Sequence, residues 1–169
     1  WGDSTMLFAD LVGASGQVHA FEFVPENLDL LAFNLDLNPH LRDRVQLVLH
    51  AVGAQTGEVV SYDANGSGSR VGPGDRQVEV LSIDDLVRQR GLERVDFIKM
   101  DVEGCEAAAL RGAAETIARF KPRLAISAYH LREDFVVLPQ LIKTLAPEYR
   151  LYLDHHTIHQ QETVLYARV

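Results

Sequence analysis

Residues 95–110 read VDFIKMDVEGCEAAAL, and the fold is decided there. Residues 95–100 are apolar except for Asp96 and Lys99 and read as a strand. Asp101, Val102, Glu103 and Gly104 follow as a turn, and 106–120, rich in alanine, then reads as a helix. A strand that passes through a short turn into a helix is the repeating unit of an α/β sheet. Lys99 is unusual in such a strand, because buried parallel strands run continuously apolar. It either pairs with a nearby acid or lays its stem along apolar surface.

The same alternation extends outward on both sides. Residues 3–11 read as a helix, ended by Gly13 and Gly16, and 17–22 (QVHAFE) as a strand. Pro25 suits a first helical turn, Glu26 and Asp29 favour that helix start, and Leu28, Leu31 and Leu35 recur at helical spacing to about 38. Further strands are predicted at 44–49, 58–62 and 77–81, with a flexible stretch NGSGSRVGPG at 65–74. Ser82 to Asp85 has the form of a capping box opening a short helix that Gly91 closes. Beyond the helix at 106–120 come a strand at 123–128, a helix at 135–145 interrupted by Pro139, and strands at 149–154 and 163–169. The last two are separated only by a turn region and can pair antiparallel. The chain therefore reads as an α/β fold with a mostly parallel sheet.

Composition narrows the function classes. The chain has 169 residues, which suits one domain. Its net charge of -8 and the absence of a Lys/Arg run argue against nucleic acid as a partner. A single cysteine, Cys105, can form neither an internal disulfide nor a cysteine-based zinc site, and the expected setting is the cytoplasm. No apolar stretch approaches the roughly 20 residues of a membrane span. Neither a GxSxG elbow nor a GxxxxGK[ST] loop occurs.

In such sheets, ligands bind beyond the carboxyl ends of the strands. Glu22 stands at one such end, 20 residues after Gly2. That spacing fits a carboxylate that accepts hydrogen bonds from a ribose diol, with Gly2 as the last glycine of a phosphate- or cofactor-binding loop. The alternative is a surface acid after a stray glycine. His50, Ala51, Val52 and Gly53 follow the strand at 44–49, and small residues there either let a ring approach the backbone or simply turn the chain. Asp101 and Glu103 follow the strand at 95–100 and could hold an ammonium, a metal or a hydroxyl, or simply favour the helix start. Tyr129 and His130 follow the strand at 123–128, and His130 is placed to accept a proton near neutral pH. His155 and His156 end a later strand but point to opposite faces, a poor bidentate pair. A metal set from Asp101, His130 and one of these two is conceivable, but no metal is assigned. Cys105 reads as a packing residue.

Taken in order, these segments resemble the FkbM-type S-adenosylmethionine-dependent methyltransferases. The matching pieces are GDST (2–5), VHAFEFVPEN (18–27), LHAVG (49–53), GSGSR (66–70), LSIDDL (81–86), VDFIKMDVEGCE (95–106), LRGA (110–113) and KPRLAISAYH (121–130). YRLYLDHH (149–156) with TVLYA (163–167) resembles one branch of the family. The resemblance implies a Rossmann-like methyltransferase fold with a reversed, antiparallel C-terminal strand. It implies methyl transfer from S-adenosyl-L-methionine, usually to a hydroxyl oxygen of a small-molecule or saccharide acceptor. By position, Glu22 would bind the ribose hydroxyls and Phe23 would lie beside the adenosine. Ala51 and Val52 would line the adenine pocket, and Asp101 would sit near the methionine part and the acceptor. Gly2 would be the last glycine of the cofactor loop, and GSGSR a mobile loop over the site. His130 is the expected base. Two departures stand out. Phe23 replaces the proline that many members carry after the glutamate. The family's first strand and the acidic-Gly-Ala opening of its loop are not in this chain. Residues 1–169 are thus expected to form a single, N-terminally incomplete methyltransferase domain. Two rivals use the same residues: a nicotinamide-dependent Rossmann oxidoreductase, and a degenerate, non-catalytic methyltransferase-like domain.

Overall fold

The structure is a computed structural model that describes residues 2–64, 69–159 and 161–169. Residues 65–68 of the predicted flexible stretch, with most of GSGSR, lie outside the described residues. The chain divides into two compact units, one made of 1–51 and 59–79, the other of 52–58 and 80–169.

The first unit opens with α1 (Asp3–Leu11), β1 (Val18–Phe21), α2 (Pro25–Leu37) and β2 (Val45–Val48). β1 and β2 pair in parallel, Val18 opposite Val45 through Phe21 opposite Val48. A parallel pair requires a crossover, and α2 supplies it. Pro25 sits in the first turn of α2, and Leu31 and Leu35 are its buried face. They pack with Ala9, Leu41 and Val45 into one small core. A 3-10 turn at Pro39–Arg44, not foreseen in the sequence, leads into β2. Its Arg44 donates to the carbonyl of Ala9 at 2.9 Å, tying the turn to the end of α1. The two-residue β3 (Ala51–Val52) is also new and leads out of this unit. Later in the chain β4 (Val59–Asp63) pairs antiparallel with β5 (Arg70–Val71) and with β6 (Arg76–Leu81).

The second unit continues through α3 (Ile83–Arg90), β7 (Phe97–Met100), α4 (Glu106–Arg111), α5 (Ala114–Phe120) and β8 (Arg123–Ser127). It ends with α6 (Asp134–Leu145), β9 (Arg150–His155) and β10 (Thr163–Arg168). Its sheet runs β7-β8-β10-β9. β7 and β8 are parallel, whereas β10 runs antiparallel to both β8 and β9. The strands joined through helices are thus parallel, and the expected reversed C-terminal strand is present. The core is built from Ile98, Met100, Leu110, Ile117, Ile126, Leu138 and Ile142, with Tyr149 and Leu165.

Two expectations about helices need correction. The helix predicted over 106–120 is two helices, α4 and α5. The break is made by Asp84. Its backbone N–H takes the Gly112 carbonyl at 2.8 Å, removing that acceptor from the helix. Its carboxylate accepts the N–H groups of Glu115 and Thr116 at 3.0 and 2.8 Å, starting α5 afresh. Gly112 is required there, because a Cβ would meet the Gly53 carbonyl oxygen at 2.0 Å. Pro139, in contrast, does not interrupt α6. The bond that it forfeits belongs to the carbonyl of Phe135, one turn earlier. The capping box is half realised. Ser82 Oγ accepts from Asp85 N at 3.2 Å, but the Ser82 N–H is taken by Thr56 Oγ1 at 3.0 Å. Gly91, with φ 61°, closes α3 as expected.

Candidate functional site

In the first unit, Gly2 caps α1 with φ 89°, a conformation that favours glycine. A Cβ on it would meet Leu31 Cδ1 at 2.3 Å. Glu22 lies directly after β1, as a strand-end carboxylate should. Its Oε1 accepts from the N–H groups of Phe23 and Val24, each at 2.8 Å, and its Oε2 accepts from Asn27 Nδ2 at 3.0 Å. The carboxylate thus holds the start of α2 and is itself fixed. A carboxylate has about four lone-pair positions, so one remains for a further donor. Phe23, half-buried, meets Tyr62 edge to face with ring centroids 4.8 Å apart. Ala51 is buried to 1% exposure.

In the second unit, Val52 packs against the core. Asp101 follows β7, and Lys99 Nζ reaches its Oδ2 at 3.2 Å while the Tyr129 hydroxyl donates to its Oδ1 at 3.1 Å. The odd lysine of β7 is therefore paired with an acid. Burial pulls the Asp101 carboxyl upward, but Lys99, aided by Ser127 and Tyr129, outweighs it and holds the group below its usual range. Burial and the Asp101 charge both push the Tyr129 phenol upward.

The chain then reverses through Glu103 and Gly104, at φ 52° and 94°. This tight turn brings Glu106 back beneath Val102, whose N–H donates to Glu106 Oε1 at 2.9 Å. Glu106 is fully buried. His130, at the end of β8, places Nδ1 2.8 Å from Glu106 Oε1. Its Nε2 lies 3.6 Å from Asp101 Oδ1 and 3.7 Å from Glu103 Oε2. Burial disfavours the imidazolium, but Glu106, Glu103 and Asp101 together outweigh it and raise the His130 pKa. Asp101 and His130, both expected from the sequence, thus come together, and Glu106 joins them unforeseen. Its only signal was an acid at the start of an alanine-rich helix, which reads as ordinary helix-dipole chemistry.

His155 and His156 are spent elsewhere. His155 Nδ1 is 2.8 Å from Thr163 Oγ1, and His156 Nε2 is 2.9 Å from the Tyr166 hydroxyl. Cys105 is half-buried, and burial, with the Glu106 charge, pushes its thiol upward, away from thiolate chemistry.

Residues 1–159 match the Methyltransferase FkbM domain. The chain belongs to the FkbM methyltransferase family. A crystal structure of the methyltransferase FkbM from Methylobacillus flagellatus KT is similar over 98% of this chain, with 28% identity and a TM-score of 0.74. The match covers 41% of that relative, so the chain spans about two fifths of its length. No curated protein matches the chain. Within the FkbM fold, the sequence motif FEFVPEN carries the α2 start with Glu22, and IKMDVEG carries the β7 end with Asp101. No helix among the described residues is long and apolar enough to cross a membrane.

Proposed function

We propose that residues 1–169 form one methyltransferase domain that uses S-adenosyl-L-methionine to methylate a hydroxyl of a small-molecule or saccharide acceptor. The observation that carries this reading is the placement of the two motif carboxylates, Glu22 and Asp101, directly beyond the carboxyl ends of β1 and β7. The residues fit the cofactor. Glu22 is held rigidly by three donors with one acceptor position left, which suits a ribose hydroxyl. Phe23 offers an aromatic face beside it, and Gly2 a backbone with no side chain. Ala51 and Val52 supply small apolar walls for an adenine. Asp101, an ionised carboxylate with Lys99 and Tyr129 on it, suits the ammonium of the methionine part. When bound, the cofactor supplies a methyl group on a positively charged sulfur.

The acceptor hydroxyl must lose its proton, and His130 Nε2 is the atom assigned to receive it. Asp101 and Glu103 lie close enough to stabilise the resulting imidazolium. Holding acceptor and methyl in line supplies several kcal/mol of the rate enhancement. The single cysteine suits a reducing compartment such as the cytoplasm.

Calorimetric titration of the full chain with S-adenosyl-L-methionine and with NAD tests the reading. Binding of the sulfonium cofactor is expected; NAD binding in its place would make the chain an oxidoreductase instead. For the base, His130→Ala should lower turnover by about 100-fold or more, and unchanged turnover removes that assignment.

A further inference from the structure

The second unit holds a buried polar cluster that hydrogen bonding does not satisfy. One ligand atom from each of Asp101, Glu106 and His130 lies within 4.8 Å of the other two. Glu106 has no exposed surface, and only its Oε1 is served, by the Val102 N–H. Its Oε2 is buried without a hydrogen-bond partner. The His130 side chain is 8% exposed, and neither ring nitrogen makes an aligned hydrogen bond, although Nδ1 is 2.8 Å from Glu106. A buried carboxylate oxygen left unpaired is costly, and such atoms are rare in a folded protein. The carboxylates of Asp101 and Glu106 both lie against this one imidazole, and Lys99 pairs with Asp101.

We propose that Asp101, Glu106 and His130 bind one divalent metal ion. Two carboxylates and an imidazole suit Mn²⁺ or a similar first-row ion better than a soft one. Lys99 occupies Asp101 Oδ2, leaving Oδ1 on the side that faces His130. Tyr129, donating to that same Oδ1, is the kind of outer partner that orients a ligating carboxylate. Asp101 is partly exposed, so three protein ligands leave coordination positions open towards solvent. An ion there would polarise an acceptor hydroxyl bound at an open position, its proton leaving to solvent, so ion binding would replace His130 as the base. That use rests on the methyltransferase reading; ion binding does not.

The test is Mn²⁺ titration of the full, EDTA-dialysed chain, with free Mn²⁺ followed by electron paramagnetic resonance. One tightly bound equivalent is expected. Asp101→Asn and Glu106→Gln should each weaken it at least tenfold, while Asp96→Asn, an exposed acid paired with Arg94, leaves it unchanged. Circular dichroism reports whether each variant folds. In the unsubstituted chain, Mn²⁺ should broaden the His130 imidazole resonances, a readout that needs no variant. If no equivalent binds, or it binds without broadening His130, the proposal fails. A chain that takes S-adenosyl-L-methionine but no Mn²⁺ loses only the ion; one that takes Mn²⁺ but no cofactor loses only the methyltransferase reading.

Discussion

At Glu22, one carboxylate holds a helix start and, on the proposed reading, would also bind a ribose, two duties that a substitution can separate. It accepts three donors from its own chain, which hold the entry to α2, and has one acceptor position left. Alanine removes both duties and should cost about 1 kcal/mol of stability, as loss of a cap does. Glutamine keeps an oxygen for the Phe23 and Val24 N–H groups but turns an amide nitrogen towards the ribose position and against Asn27 Nδ2. Glu22→Gln should therefore weaken S-adenosyl-L-methionine binding about tenfold, the loss of one charge-assisted hydrogen bond, with an unaltered circular dichroism spectrum. Calorimetry decides it, and unchanged affinity ends the ribose role. The strand-end position of Glu22 was legible in the sequence, because the strand before it and Pro25 after it bracket the turn. Glu106 was not. Its role depends on the left-handed backbone at Glu103, a residue type that seldom adopts it, and no composition signal announces such a turn.

Among the elements, strand and helix types followed from periodicity, while their interruptions followed from single tertiary bonds. The stretch 106–120 carries an unbroken helical pattern, with Gly112 as its only weak point. What divides it is Asp84, a residue of α3 distant in sequence, which takes the Gly112 carbonyl and caps α5. Pattern reading sees neighbours along a helix and not a side chain arriving from another. Asp84→Ala should leave the Glu115 and Thr116 N–H groups without their carboxylate and lower stability by about 1–2 kcal/mol. Gly112→Ala should cost more, because its Cβ would collide with the backbone oxygen of Gly53 rather than a movable side chain. Urea unfolding of the two variants checks the order, and equal or reversed losses would show that the α4–α5 junction yields more easily than these contacts imply.

Across the whole molecule, the alternation of strands and helices was readable, but the partition of strands into separate sheets was not. Four-residue strands such as β1, β2 and β7 state which faces are apolar and say nothing of which strand lies alongside. Global stability does, however, depend on a group that the sequence leaves anonymous. Tyr149 is 1% exposed in the second unit's core and donates its hydroxyl to the Pro122 carbonyl, joining the approach to β9 with the approach to β8. Burial pushes its phenol up to about 12. In the unfolded chain the same group ionises near 10. Its neutral form is thus favoured by folding, so its contribution is complete below about pH 10 and is lost as pH rises through about 12. Tyr149→Phe gives up the hydrogen bond, about 1 kcal/mol, but has no proton to lose. The stability difference between the native chain and Tyr149→Phe should therefore stay constant from pH 7 to about 9.5 and then shrink, and reverse in sign, towards pH 12. Titration of other groups, Tyr129 included, is common to both proteins and cancels in the difference. Urea midpoints measured across that range test it, and a difference that holds constant to pH 11.5 would mean that Tyr149 ionises in the fold as freely as in water.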